Sequence, residues 1–253
     1  LKEAYDRNPE RNSTWNWGGI GDNRPIFWNN PYFATYKNYE NDSRTRVFGT
    51  VFGNYKITNW MNILGRVSMD NYNEQQEERV AIGSVALSKY NRYNRVYREF
   101  NYDLIANFNK TFSDMFKFTG LLGPNIRKQK IESIDAQTNG GLAIANFYSL
   151  SNSKNQLLAP TESYVNRQVN GYFGQANFGF ADLVFLDFTG RNDVSSTLAK
   201  GNNSYFYPSI SLTYLFTNHF AKERAAEWFS YGKLRLNYAE VGNDAPYGVT
   251  RDY

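Results

Sequence analysis

Apolar and polar residues alternate with a period of two along most of this chain. From 205 to 217, Phe206, Ile210, Leu212, Tyr214 and Phe216 fall on one parity and Ser209, Ser211 and Thr213 on the other, with Leu215 out of step. In "REFNYDLIANFNKTF", Phe100, Tyr102, Leu104, Ala106 and Phe108 share one face, while Asn101, Asp103, Asn107 and Asn109 share the other, with Ile105 the exception. A helix would scatter these sets; a strand wet on one side segregates them. The same alternation recurs in "WMNILGRVSMDNY", "VNGYFGQANFGF", "LVFLDFTGRND" and "YGKLRLNYAEVGN". It predicts about eight strands, at roughly 46–57, 60–71, 97–111, 116–129, 167–180, 183–193, 205–217 and 231–242.

The connections have their own rhythm. "TN", "FSDM" and "AD" are short, whereas 72–96, 130–166 and 194–204 are long. A short helix is expected in "NHFAKERAAEWFS" (218–230). Tight turns at one end of a sheet and long loops at the other characterise outer-membrane barrels. A sandwich spaces its turns more evenly. Several predicted strands reach about 11–15 residues, above the soluble mode of about 5–6, and a tilted membrane-crossing strand needs about 9–11. Tyr55, Trp60, Tyr72, Phe100, Phe112, Phe116, Tyr205, Tyr207 and Phe216 fall near strand ends, where interfacial girdles lie. The apolar parity is therefore expected to face lipid. The polar parity is expected to line a hydrated lumen, with Asn62, Arg66, Ser68, Asp103, Asn107, Asn109, Gln175, Asn177, Arg235 and Asn237 along it.

Composition narrows the chemistry. With no Cys and one His, His219, thiolate and His-cluster metal sites are excluded, and no metal or cofactor is expected. The net charge of +4 is too diffuse for a nucleic-acid protein. Mean hydropathy is −0.64, and no run approaches the ~18 apolar residues of a spanning helix, which leaves strands as the only way across a bilayer. Serine-hydrolase, phosphate-loop and zinc-peptidase motifs are absent, so no enzyme activity is expected.

The stretch "GRNDVSSTLAKGNNSYFYPSIS" resembles a characteristic segment of the SusC/RagA-type TonB-linked outer-membrane proteins. "NYDLIANFNK", "GLLGPNIR", "NGGL", "YSLSNS", "GYFGQANFGF" and "LRLNYAEVGNDAPYG" follow the family order. Ala199 stands where the family often has Pro. The resemblance implies a mid-barrel piece of a 22-stranded TonB-dependent transporter in the Gram-negative outer membrane. It also implies import of oligosaccharides or peptides, a SusD-like surface lipoprotein as lid, and energy from TonB through a segment outside this chain. Residues 1–45 are then an extracellular loop region and 46–253 part of the barrel, with plug and signal peptide absent from the chain. Eight strands cut from a larger barrel are not expected to fold alone as a stable monomer.

Candidate substrate contacts are Trp15, Trp17, Trp28, Arg66, Asp103, Asn107, Arg191, Asp193 and Arg235. Trp15, Trp17 and Trp28 either present stacking platforms or pack their loop onto itself. Arg191 and Asp193 either touch substrate or form a structural pair, reinforced by Ser195. "EQQEER" (74–79) is expected at a loop tip, and "GNN", "NGG" and "GND" as turns. Lys154, Lys200 and the Arg92/Arg95/Arg98 cluster face either the anionic outer leaflet or solvent. Two rival architectures are a complete eight-stranded barrel and a soluble carbohydrate-binding sandwich.

Overall fold

A computed structural model of the chain describes residues 1–15, 17–20, 22–217 and 231–242. The expected helix at 218–230, His219 and most of "GND" lie outside them. So does the side chain of Trp17.

Eight long strands form one antiparallel sheet. In chain order they are β3 (Tyr39–Lys56), β4 (Met61–Val80), β5 (Lys89–Ser113), β6 (Phe116–Gln137), β9 (Thr161–Phe180), β10 (Val184–Ser195), β11 (Ser204–Tyr214) and β12 (Leu234–Ala239). Their order in the sheet is β12-β11-β10-β9-β6-β5-β4-β3. Short hairpins supply the remaining strands: β1 (Trp17–Gly19) with β2 (Asp22–Pro25), and β7 (Asn139–Leu142) with β8 (Ser153–Asn155). Two helices, α1 (Lys2–Arg7) and α2 (Pro31–Lys37), precede the large sheet. Each strand pairs with its neighbour along the chain, an up-and-down order that tight turns allow. Among the described residues β12 does not pair with β3, so this is neither a closed eight-stranded barrel nor two stacked sheets.

All eight predicted strands are present, but several run further at their loop ends. β4 continues to Val80, β5 begins at Lys89, β6 continues to Gln137, and β3 begins at Tyr39. The extensions carry polar residues on both faces, so hydropathy alternation does not mark them; backbone pairing does. "EQQEER" accordingly lies inside β4, not at a loop tip, and Glu74 is buried against Arg44 at 2.8 Å. The β9–β10 turn has Ala181 and Asp182 both left-handed, at φ 53 and 55, and Leu183 N–H donates to Phe180 O at 2.9 Å. Two left-handed central residues match the right-handed twist of a tight hairpin.

The described chain divides into two compact units: Leu1–Val47 with Asn71–Tyr97 and Ile131–Tyr164, and Phe48–Asp70 with Arg98–Lys130 and Val165–Tyr253. The first is held by asparagines. Asn30 is wholly buried; its Nδ2 donates to Leu1 O and Ser13 O, its Oδ1 accepts from Tyr32 N–H, and its own N–H donates to Asn12 Oδ1. Asn152 similarly donates to Ile144 O and Phe147 O while accepting from Ile144 N–H. Irregular backbone stays ordered when side-chain amides satisfy its donors and acceptors. Gly140 and Gly141, at φ 70 and 99, lie inside β7 and not in the turn expected for "NGG"; the pairing with β8 shifts register there, which takes the conformational freedom of glycine.

The second unit has almost no core. Ile105 is its one buried apolar side chain among the described residues. Register places Leu186, Phe188 and Asn192 beside Phe178, Ala176 and Tyr172 on β9, and beside Leu212, Ile210 and Phe206 on β11. Leu212 and Ile210 in turn face Leu236 and Tyr238 on β12. Among the described residues nothing forms a second layer on this apolar face: Leu104 is 52% exposed, Leu122 55% and Leu236 61%. Phe116, Phe118 and Phe188 ring Phe178 at 5.2–6.3 Å near the tight-turn end. So large an apolar surface must meet something other than water. No helix among the described residues is long and apolar enough to cross a membrane, which says nothing of strands.

Candidate functional site

The opposite face of the second unit is polar, and its side chains pair across strands. Asn54 accepts from Asn62 Nδ2 at 2.6 Å, and Thr50 donates to Ser68 at 3.0 Å. Asn177 donates to Asp187 at 2.5 Å, Thr189 and Ser209 bond at 2.5 Å, and Ser211 donates to Asn237 at 3.3 Å. Gln175 lies opposite Thr189, and Arg235 opposite Thr213. The parity expected from sequence is thus the parity of the sheet.

On this face, toward the ends of β10 and β11 away from the β9–β10 turn, lies a concavity of about 480 Å³. A chain of charged and amide groups crosses it. Arg66 on β4 donates through Nε to Asp103 Oδ2 on β5 at 2.8 Å. Asp103 Oδ1 accepts from Asn125 Nδ2 on β6 at 2.7 Å, and the same amide reaches Asn101 at 3.2 Å. Asn125 Oδ1 accepts from Arg191 Nη2 on β10 at 3.3 Å, and Arg191 Nε is shared between both oxygens of Asp193 at 2.8 Å. Asp103 is the most enclosed of the charged members, its side chain 8% exposed, and both its oxygens are satisfied. A buried carboxylate demands such pairing.

Arg191 reaches β6 only by passing over β9. Gly171 stands opposite Asp193 on β9, and a Cβ there would sit 2.4 Å from Asp193 Oδ1 and 2.8 Å from Arg191 Nη2. The missing side chain is the space the pair occupies. Arg127 and Arg167 also border the concavity, Tyr205 and Tyr207 stack beside it at 6.4 Å, and Phe173 lies 5.9 Å beneath Arg191. Fixed guanidinium and amide donors beside aromatic faces can hydrogen-bond and stack against a polar solute.

Of the residues singled out from sequence, Arg66, Asp103, Arg191 and Asp193 come together here. Asn107 and Arg235 share the polar face without bordering the concavity. Ser195 is buried and bonds Thr197 at 2.9 Å. Trp15 and Trp28 belong to the first unit; both are largely exposed, at 70% and 60%, while Phe33 and Tyr90 are buried aromatics there and Tyr5 stacks on Tyr32 and Tyr36. Asn125 and Gly171 carry no charge and were not singled out from sequence, whereas Asn101 was placed on the polar face but not among the candidate contacts. Asn125 shares the parity of Arg127, but Leu121 on that parity and Pro124 beside it blur the period in β6.

Near the first unit's helices, Glu10 accepts from Asn146 Nδ2 at 2.8 Å and from Lys37 Nζ at 2.5 Å. The hydrogen bonds from Asn146 and Lys37, in that order, hold its carboxyl below the ordinary 4.5. Burial pushes the Tyr148 hydroxyl up. Among the described residues no group of His, Cys, Asp or Glu could hold a metal ion.

A long-stranded antiparallel sheet with one apolar face uncovered among the described residues and one paired polar face has the architecture of part of a β-barrel wall. Solved structures agree at the level of fold. The RagAB peptide transporter matches with a TM-score of 0.74 at 19% identity over 90% of this chain and 25% of the other. The RagAB peptide importer in its "open-open" state matches equally, and in its "closed-closed" state with 0.73 at 18% identity over 92% of this chain and 26% of the other. The chain spans about a quarter of the length of these structures. No protein-family model matches the sequence, and no curated protein matches it.

Proposed function

We propose that this chain is part of the barrel wall of a SusC/RagA-type, TonB-dependent importer in the Gram-negative outer membrane. Its apolar face meets lipid, its polar face borders the passage, and residues 1–45 with the other long connections face outward. The cargo is peptide or oligosaccharide, captured under a SusD-like lipoprotein and released inward by TonB-driven movement of a plug. The reading rests chiefly on the segregation of the two faces. A paired polar ladder from Asn54 to Asn237 backs onto an apolar surface left uncovered among the described residues, which suits a wall between water and lipid. The fold likeness to the RagAB peptide transporter favours peptide over glycan cargo. In this role Arg66, Asp103, Arg191 and Asp193 shape the lumen wall, Asn107 and Arg235 extend it, and Trp15, Trp17 and Trp28 offer stacking surfaces to cargo or lid.

The test is uptake of labelled peptides and oligosaccharides by cells whose only copy of the full-length gene is deleted or restored. Uptake of one class should vanish on deletion and on collapse of the proton gradient. Uptake of both classes unchanged by deletion would overturn the proposal.

A further inference from the structure

The outward face carries a second feature, at the end of β5 and β6 away from their tight turn. Luminal parity there is set by Asp103, Asn101 and Glu99 on β5, and by Asn125, Arg127 and Gln129 on β6. Asn125 bonds Asn101 and Asp103, Gln129 bonds Glu99 at 3.2 Å, and Arg127 lies 3.3 Å from Glu99. Arg98, Phe100, Lys128 and Lys130 therefore point the other way, with the apolar stripe. Together with Asn166, Gln168 and Ser196 they border a shallow pocket of about 540 Å³. Arg98 and Lys128 are exposed, and Lys130 is also engaged within the protein.

The position is unusual for cations. On β5 the stripe Phe100, Tyr102, Leu104, Ala106 and Phe108 begins one outward position after Arg98. On β6, Leu122, Pro124 and Ile126 lead directly to Lys128. β6 and the next strands in the sheet offer a companion surface: Gly120 on β6, Gly174 on β9 and Gly190 on β10 form a furrow flanked by Phe118, Leu122 and Phe188. Gly174 and Gly190 are direct register partners. Lys128 lies six positions along β6 from Leu122, roughly 20 Å at about 3.4 Å per residue, on the scale of one lipid's acyl chain.

We propose that this face holds a phosphorylated lipid of the outer leaflet, its phosphate between Arg98 and Lys128 with Lys130 alongside, and an acyl chain in the glycine furrow. Amide and hydroxyl groups of Asn166, Gln168 and Ser196 complete the donor set around the phosphate. The assignment rests on the reading above that the apolar face meets lipid. A phosphate, with its charge and several acceptor oxygens, is the lipid group that clustered guanidinium and ammonium donors recognise.

The experiment uses the full-length protein in nanodiscs of neutral lipid, titrated with bisphosphorylated lipid A and, separately, its dephosphorylated form. Wild type should prefer the phosphorylated lipid, and Arg98→Gln with Lys128→Gln and Lys130→Gln should reduce that preference by roughly a hundredfold. Lys117→Gln, near the tight turns, should leave it unchanged. Equal binding of the two lipids by wild type overturns the inference without recourse to any variant. Release of the protein from membranes by carbonate without detergent would instead overturn the barrel reading beneath it.

Discussion

Arg191 lies over Gly171: a Cβ at Gly171 would stand 2.8 Å from the Arg191 guanidinium and 2.4 Å from the carboxylate that holds it. One absent methyl on β9 thereby lets a charge on β10 bond an amide on β6. Gly171→Ala should cost about 1–3 kcal/mol, the range for overfilling a packed site. The cost should shrink when Arg191→Ala and Asp193→Ala are also present, because the obstructing side chains are gone. Thermal unfolding of the detergent-solubilised full-length protein across this set of variants measures both; strictly additive losses would contradict the geometry.

Asp103 joins Arg66 to Asn125 and is the least exposed charge in the network. Asp103→Leu should destabilise by about 2–3 kcal/mol, the order expected for hydrogen bonds to a charged group. Arg66 is 43% exposed and regains water, which keeps the loss below that of a fully enclosed pair. Adding Arg66→Leu should recover part of the loss. The readout is the unfolding midpoint, with peptide uptake measured alongside.

The chain contains no Cys, so single cysteines report on one face at a time. Cysteines at Asn107 and Ser209 should react with a water-soluble maleimide in intact membranes. Cysteines at Leu104 and Leu236 should react only with a lipid-soluble reagent. Equal labelling at all four positions would refute the assignment of faces.

Glu10 gives the first unit a pH dependence. Its folded carboxyl is held below the ordinary 4.5, so its contribution is complete above that value and is lost as pH falls through the lowered folded value. Hydrogen-exchange protection of α2, corrected for intrinsic rates, should fall over that acid range in wild type. With Glu10→Gln this component of the change should be absent.

Ala181 occupies a left-handed backbone that L side chains resist by about 1–2 kcal/mol. Ala181→Gly should raise the unfolding midpoint of the full-length protein. Asp182, also left-handed, is tied to Lys117 at 2.8 Å, so Asp182→Gly should gain less.

Much of this protein is legible from residue order alone. Where apolar and polar residues alternate, as in Leu104 against Asp103 or Leu212 against Ser211, the pleat itself assigns the faces, and short turns assign strand neighbours. That is why eight strands, three tight turns between them and the polar face could be read directly. Tertiary structure decided what period two cannot encode. The strand extensions around Glu74 and Tyr90 are polar on both faces, and only backbone pairing reveals them. The meeting of Arg66, Asp103, Asn125 and Arg191 depends on how strands are staggered, and on a glycine whose contribution is empty space. Alternation is a local property of the chain, whereas stagger and vacancy exist only once distant strands lie side by side.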